Sequence, residues 1–344
     1  MKRPRISARA TGIALGYLAD RVFADPVRWH PVAGFGSAAA ALERCTHRDS
    51  RAAGAVHTGL LVGAVVGGTA LAARAAGRLG WAGETAVVAA ATWISLGGTS
   101  LTGVGFRMAD RLAADDLSGA RALVPSLCAR DPDLLDATGI ARATVESVAE
   151  NTSDATVAPL VWAAVAGAPG ALGYRAINTL DAMIGYRSPK YLRFGWAAAR
   201  LDDAVNLAPA RVTGLLTAAA APVVGGSPRA AALAWRRDAS AHPSPNAGVA
   251  EASMAGALGI ALGGRTEYAY GAEDRPTLGA GPAPGVGDIA RVARLSTVVQ
   301  AGAAVAAVLV ASAFRRRPGG CRVGHSGDGP GSARSAGAGQ RRVP

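Results

Sequence analysis

Three regularly spaced carboxylates are the first residues in the chain that could do chemistry. Glu146, Glu150 and Asp154 follow one another at intervals of four residues in the segment ATVESVAENTSDATVAP, beside Asn151. On an α-helix this spacing puts all three on one face, where like charges repel unless a cation neutralises them. The two interpretations are a solvated helix face and a Mg²⁺ site completed by substrate phosphates. Because the stripe ends directly against an apolar segment, we favour Mg²⁺.

A second polar segment, residues 174–211, combines charges of both signs with Tyr and Trp. This composition is typical either of an interfacial membrane belt or of an anion pocket. Of 36 basic residues only Lys2 and Lys190 are lysines, and a single internal lysine favours a phosphate contact through a compact ammonium. The candidate residues are Asn178, Asp181, Arg187, Lys190, Arg193, Arg200, Asp202 and Asp203.

Two proline-stiffened turns supply the remaining candidates. The segment HPSPNAGVAEASMAG contains His242, a candidate acid–base group, together with Asn246 and Glu251. The segment DPVRWHP contains Asp25 and His30. A single loop histidine is equally typical of a polar surface. The chain has no P-loop, no dinucleotide-binding glycine motif and no zinc-protease or serine-hydrolase motif.

Five stretches without Asp, Glu, Lys or Arg separate these polar segments. They are 17 to 22 residues long, close to the roughly 20 residues that a membrane-spanning helix needs. Many are rich in Ala and Gly, which permits close helix packing in lipid. The sequence therefore predicts an all-α, polytopic integral membrane protein with four or five transmembrane helices and helical cytoplasmic loops. The candidate spans are residues 55–73, 85–106, 155–174, 212–228 and 295–314.

The orientation follows from the basic ends of the chain. Three arginines at 315–317 directly follow the last stretch, and the first nine residues carry four basic groups, so both ends are expected in the cytoplasm. Two ends on one side require an even number of spans. We expect 155–174 to be the stretch that does not cross, because it joins two polar motif segments that should face the same compartment. We also expect it to be kinked or re-entrant, because it contains Pro159, Pro169 and several glycines.

The net charge of +12 does not indicate a nucleic-acid partner. Residues 1–9 contribute +4 and residues 315–344 contribute +6, which leaves a nearly neutral body, and aromatic residues make up only 5%. We predict a membrane enzyme domain over residues 1–314 and a disordered, basic Gly/Ser/Arg-rich tail over 315–344.

Four segments together resemble, in the same order, the hallmark segments of the adenosylcobinamide-phosphate synthase family, the CobD/CbiB proteins of cobalamin biosynthesis. The resemblance runs from about Ala14 to Phe314. The sequence departs from the family pattern at Ala24, where Gly is usual, at Ala155-Thr156 and at Val249-Ala250, beside polar residues that are retained. The four segments are ADPVRWHPVAGFG, ESVAENTSDATVAP, YRAINTLDAMIGYRSPKYLRFGWAAARLDD and HPSPNAGVAEASMAGALG.

The resemblance implies an acid–amine ligase in the cell membrane. Such an enzyme attaches aminopropanol, or its O-phosphate, to a propionate carboxylate of adenosylcobyric acid and so makes adenosylcobinamide or its phosphate. ATP and Mg²⁺ are the expected cofactors, the corrinoid is a substrate, and other cobalamin-biosynthesis enzymes are candidate partners beside the lipid bilayer. Whether the amine is free or phosphorylated stays open.

We assign roles on the hypothesis that ATP converts the carboxylate to an acyl phosphate, which the amine then attacks. Mg²⁺ is assigned to Glu146, Glu150 and Asp154. Phosphate is assigned to Arg187, Lys190 and Arg193. A base or second metal ligand is sought among Asp181, Asp202 and Asp203. Substrate orientation is assigned to Asn151, Asn178 and Asn246, with Asp25, His30, Arg200, His242 and Glu251 as further binding candidates.

Two alternatives are a transporter and a non-catalytic scaffold of corrinoid metabolism. A transporter predicts ionisable residues within its spans, and the five stretches contain no Asp, Glu, Lys or Arg. A scaffold leaves the acidic stripe and Lys190 unexplained.

Overall fold

The structure is a computed structural model that describes residues 7–26, 30–268 and 271–313. The predicted tail, residues 315–344, and the basic residues before Ser7 lie outside the described residues. Twelve α-helices dominate the described chain, so the all-α prediction is confirmed. They are α1 (Ala8–Phe23), α2 (Pro31–Thr46), α3 (Arg51–Gly77), α4 (Gly80–Ser95), α5 (Gly98–Ala113), α6 (Leu117–Leu123), α7 (Ala137–Thr152), α8 (Ala158–Ile184), α9 (Trp196–Ala220), α10 (Pro228–Asp238), α11 (Ala247–Leu258) and α12 (Val286–Ala313).

Five helical segments of the described chain are long and apolar enough to cross a membrane. Each contains or overlaps one of the five uncharged stretches, as the sequence predicts. The segments are Arg51–Gly77, Gly80–Ala113, Ala137–Ile184, Trp196–Val224 and Val286–Ala313.

The stretch 155–174 does not form one continuous helix, because two helices within the range of α8 meet at Gly167. The predicted kink is present at Gly167, whose φ of 67° lies in the left-handed region. Pro169 has no N–H to donate to the carbonyl of Val165. The guanidinium of Arg9 takes that place, with 3.0 Å to the Val165 oxygen and 3.1 Å to that of Ala164. Two helices therefore meet here and the chain turns back, because Asn151 and Asp154 before Gly167 line the same cavity as Asn178 and Asp181 after it.

Two local departures from regular helix meet at the centre of the fold. The chain breaks between α4 and α5 at Leu96 and Gly97, and a π-helical turn, Ser153–Val157, joins α7 to α8. The Gly97 N–H donates to the Ala155 carbonyl at 3.0 Å, so the break packs directly on the turn. Turns of this type are frequent at functional sites. Asp154, the last carboxylate of the acidic stripe, lies within it.

One element of the polar segment 229–294 is not predicted by the sequence. Strands β1 (Ala261–Tyr268) and β2 (Gly271–Gly279) form an antiparallel hairpin with a bulge between Leu262 and Gly264. Gly263 has a φ of 87°, as bulges of this kind require. The hairpin packs against α11, which is buried along its whole length.

Candidate active site

Four of the eight predicted carboxylates line one cavity of about 420 Å³. Glu146 and Glu150 enter it from α7, Asp154 from the π-helical turn and Asp181 from α8. Two amide side chains, Asn151 and Asn178, complete the polar wall. The structure therefore brings together six residues that the sequence singles out, and we call this space the acidic cavity.

Glu146 is neutralised from within the protein. Its carboxylate forms an ion pair with Arg130, and both side chains are only 4% exposed. The other oxygen accepts the Gly263 N–H at 2.8 Å, and Arg275 of β2 lies 3.8 Å away. The acidic stripe thus has the counter-charge that its spacing demands, and the hairpin is attached to the cavity through Glu146.

Asp202 and Asp203 on α9 belong to different surroundings. Asp202 accepts hydrogen bonds from Asn206 at 2.9 Å and from Asn178 at 3.4 Å, and it interacts electrostatically with Asp154. Asp203 lines a neighbouring cavity. Asp202 is therefore the member of the pair placed toward the acidic cavity.

The neighbouring cavity has a volume of about 540 Å³ and is lined by four arginines. It shares Gly185 and Tyr186 with the acidic cavity, so the two spaces adjoin. A side chain at Gly185 would collide with the Asp181 carboxylate, which explains the glycine at the junction. We call this space the arginine cavity; its arginines are Arg51, Arg187, Arg193 and Arg200.

Lys190 lines neither cavity, contrary to its predicted place with Arg187 and Arg193. Its side chain is 58% exposed, and its ammonium lies 2.9 Å from Glu43 and donates to the Tyr191 hydroxyl at 2.8 Å. Burial alone would raise the pKa of Glu43, but hydrogen bonds from Lys190 and Tyr191 lower it below its ordinary value. The same contacts raise the pKa of Lys190. Lys190 therefore attaches the 185–195 loop to α2.

His242 and Glu251 form a buried pair beneath the hairpin, 3.7 Å apart. His242 Nδ1 lies 3.0 Å from the backbone nitrogen of Ser244 and 3.1 Å from its carbonyl oxygen, so this loop fixes the orientation of the ring. Burial lowers the pKa of His242. Burial first, and then the carboxylates of Glu150 and Glu146, raise the pKa of Glu251 well above its ordinary value. This pair faces Arg275, which lies 3.4 Å from the ring.

Three other candidates have mainly structural contacts. Asn246 donates to the Asp203 carbonyl at 2.8 Å and accepts from Arg211 at 2.7 Å, so it joins α9 to α11. Asp25 lies 3.5 Å from His30 Nε2, and His30 caps α2 through its Nδ1. Asp25 also lines a third cavity, which is described below.

The three-carboxylate Mg²⁺ site predicted from spacing is not assembled. Among the residues that the structure describes, no three His, Cys, Asp or Glu side chains are arranged to hold a metal. Glu146 is engaged by Arg130, and Asp154 is displaced into the π-helical turn. Mg²⁺ is commonly held by one or two carboxylates together with substrate phosphates. The carboxylate oxygens of Glu150 and Asp154, which line the acidic cavity, fit that second kind of site.

The sequence analysis missed the cations that balance the carboxylates. Arg130 comes from the loop before α7 and Arg275 from the hairpin. The repulsion along the stripe was a signal that such a partner must exist, but nothing in the spacing indicated which of many arginines supplies it. Tyr186, at the junction of the two cavities, was also missed.

Comparison with known proteins agrees with the resemblance in the motifs. The profile of the family described as CobD/Cbib protein matches residues 13–296. A protein named cobalamin biosynthesis protein CobD from Mycobacterium tuberculosis (strain CDC 1551 / Oshkosh) is 60% identical over 311 residues, covering 90% of this chain and 97% of that protein. Proteins of the same name from Geobacter metallireducens and Chromobacterium violaceum are 43% and 42% identical, covering 76% and 82% of this chain and 84% and 90% of their own lengths. No solved structure matches.

Proposed function

The chain belongs to the CobD/CbiB family and has a role in cobalamin biosynthesis, and from this premise we propose that it is an acid–amine ligase. The proposed reaction joins the amine of aminopropanol, or of its O-phosphate, to a propionate carboxylate of adenosylcobyric acid. The new bond is an amide, and the energy comes from ATP. The proposed location is the cell membrane, with the C-terminus in the cytoplasm.

The observation that supports this proposal is the adjacency of two cavities of opposite charge. The arginine cavity offers four guanidinium groups, the side chains best suited to bidentate phosphate binding. The acidic cavity offers carboxylates that suit an ammonium group or a divalent cation. Because the two share Gly185 and Tyr186, an anionic phosphate and a cationic partner would meet at one junction.

The chain's own residues are assigned accordingly. Arg187 and Arg200 bind the phosphates of the nucleotide, since both line the arginine cavity and neither forms an ion pair within the described residues. Asp181 and Asp202 are the candidates to take the proton that the attacking amine must lose before it forms the amide. Glu150 and Asp154 are the candidates to hold Mg²⁺, which when bound would neutralise charge on the transferred phosphoryl group.

Complementation tests the proposal in cells. A bacterial strain that lacks its own CobD-family protein is supplied with either cobyric acid or cobinamide. We expect this chain to restore growth on cobyric acid and the Glu150→Gln variant to fail, whereas both strains grow on cobinamide. Arg111→Gln, which removes an exposed ion pair with Asp116 that lines neither cavity, is the control and should grow on both. Growth on cobyric acid with Glu150→Gln and Asp154→Asn combined would contradict the assigned chemistry and favour a scaffold.

A further inference from the structure

A third cavity, of about 290 Å³, adjoins the acidic cavity and shares no lining residue with the arginine cavity. It shares Leu127, Ser147 and Asn151 with the acidic cavity. Its remaining wall comes from the break at Gly97, from the π-helical turn and from Arg175 of α8. This volume lies at the lower end of the range for small-molecule sites, which is enough for a side arm but not for a corrin ring.

Arg175 is the cation of this third cavity, and it has no protein partner there. Within the described residues its guanidinium makes no hydrogen bond and no ion pair, and its Nε is buried without an acceptor. It interacts electrostatically with Asp154 without touching it. Arg175 is half-buried, and a buried Nε–H without an acceptor is costly, because its hydration is lost and not replaced. Arg175 also lies in a segment apolar enough to cross a membrane, where ionisable residues commonly mark binding sites.

The lining indicates a ligand with a single negative charge on an apolar arm. Leu101, Val104 and Leu127 give the cavity an apolar side that suits methylene groups. Asp25 and Arg175 both lie close to Gly97. A Cβ built on Gly97 would be 3.4 Å from Asp25 Oδ2 and 3.7 Å from Arg175 Nη2. A phosphate with two charges would be repelled by this carboxylate more strongly than a carboxylate ligand with one.

We propose that Arg175 binds the propionate carboxylate of the corrinoid substrate and holds it at the edge of the acidic cavity. This inference rests on the proposed function and adds the site at which the acid is recognised. Arg175 pairs with the carboxylate through two parallel N–H···O contacts. Asn151 lines both the third cavity and the acidic cavity. A carboxylate held by Arg175 beside Asn151 would face the phosphoryl group that activates it and the amine that attacks it. Arg175 thus makes the site selective for the acid over the neighbouring amide arms of the same ring.

Binding and kinetics with two corrinoids test the proposal. The purified protein is titrated with adenosylcobyric acid and with the same corrinoid whose carboxylate is converted to the primary amide. We expect the wild-type protein to prefer the acid by about tenfold to a hundredfold, the range for hydrogen bonds to charged groups. Arg175→Gln should remove that preference and raise the KM for the corrinoid while leaving the KM for ATP unchanged.

Arg9→Gln is the matched control, because Arg9 contacts the same helix through the carbonyls of Ala164 and Val165. It should lower stability and keep the preference for the acid. An Arg175→Gln protein that folds and still prefers the acid overturns the proposal. If Arg175→Gln does not fold, Arg175→Lys decides: a reduced preference supports the proposal and an unchanged one overturns it. Wild-type protein that neither ligates nor prefers the acid contradicts the proposed function itself.

Discussion

The ion pair between Arg130 and Glu146 gives the most direct prediction about how the acidic cavity is held together. Both side chains are 4% exposed, so removing one partner leaves the other charge buried. Breaking such a pair costs about 3–5 kcal/mol. In Arg130→Met the Glu146 carboxylate keeps the Gly263 N–H at 2.8 Å and Arg275 at 3.8 Å. We therefore expect the low end of that range, about 3 kcal/mol, or about two orders of magnitude in the unfolding equilibrium.

The measurement is unfolding of the detergent-solubilised protein by denaturant or heat, with Arg130→Met, Glu146→Met and the double variant compared. Since the double variant leaves neither charge buried without its partner, it should lose much less stability than the two single variants added together. Arg111→Met is the control, because its ion pair with Asp116 is exposed, and we expect no resolvable change. Additive single losses, or an Arg130→Met protein as stable as wild type, would refute the view that Glu146 is a neutralised, structural carboxylate.

Three further predictions follow from the placement of single side chains. Glu150→Gln should lower the rate of ligation by about 100-fold or more. The same variant should be more stable than wild type, because it removes one of several crowded carboxylates. Activity and thermal unfolding are measured on one preparation. Lys190→Ala and Glu43→Gln should have the same small effect on the KM for ATP, since both break the contact between Lys190 and Glu43. A much larger effect of the lysine variant would restore its predicted phosphate role. The raised pKa of Glu251 means that the folded state keeps a proton which the unfolded state loses above about pH 4.5, so folding stability falls as pH rises from there toward the folded-state pKa. Glu251→Gln should reduce that fall and be more stable than wild type at pH 7, and a variant with the wild-type pH profile would contradict the raised pKa.

Helix content and the position of the apolar segments could be predicted from the sequence, because both depend on composition along the chain. Stretches of about 20 residues without charge coincide with the helices that are apolar enough to cross a membrane. The kink near Pro169 follows from the missing N–H of proline. The partner of the free carbonyls before the kink could not be predicted, because Arg9, which donates to Ala164 and Val165, lies 155 and 156 residues away in the chain.

The hairpin was missed because neither strand carries the alternation that marks a half-buried strand. The segments ALGGRTEY and GAEDRPTLG are short, contain glycine or proline, and have few β-branched residues. Their pairing is stabilised by contacts from elsewhere, such as the hydrogen bond between Gly263 and Glu146.

The acidic residues of the site were found because repulsion along one helix face is a local property. Their partners were not found, because Arg130 and Arg275 come from distant segments. Lys190 was assigned to phosphate because lysine is rare in this sequence. The rarity of a residue type does not indicate which groups its side chain contacts in the fold. The structure places its ammonium on Glu43, whereas Arg187 and Arg200 line the adjoining cavity.

Ligation by the purified protein tests the central claim most directly. The protein in detergent is incubated with adenosylcobyric acid and with aminopropanol or its O-phosphate, each with and without ATP and Mg²⁺, and the corrinoid products are separated and weighed by mass spectrometry. We predict one new amide bond with at least one of the two amines, formed only when ATP and Mg²⁺ are both present and lost in Glu150→Gln. No amide with either amine, or the same rate without ATP, would contradict the assignment of this chain as an ATP-dependent acid–amine ligase.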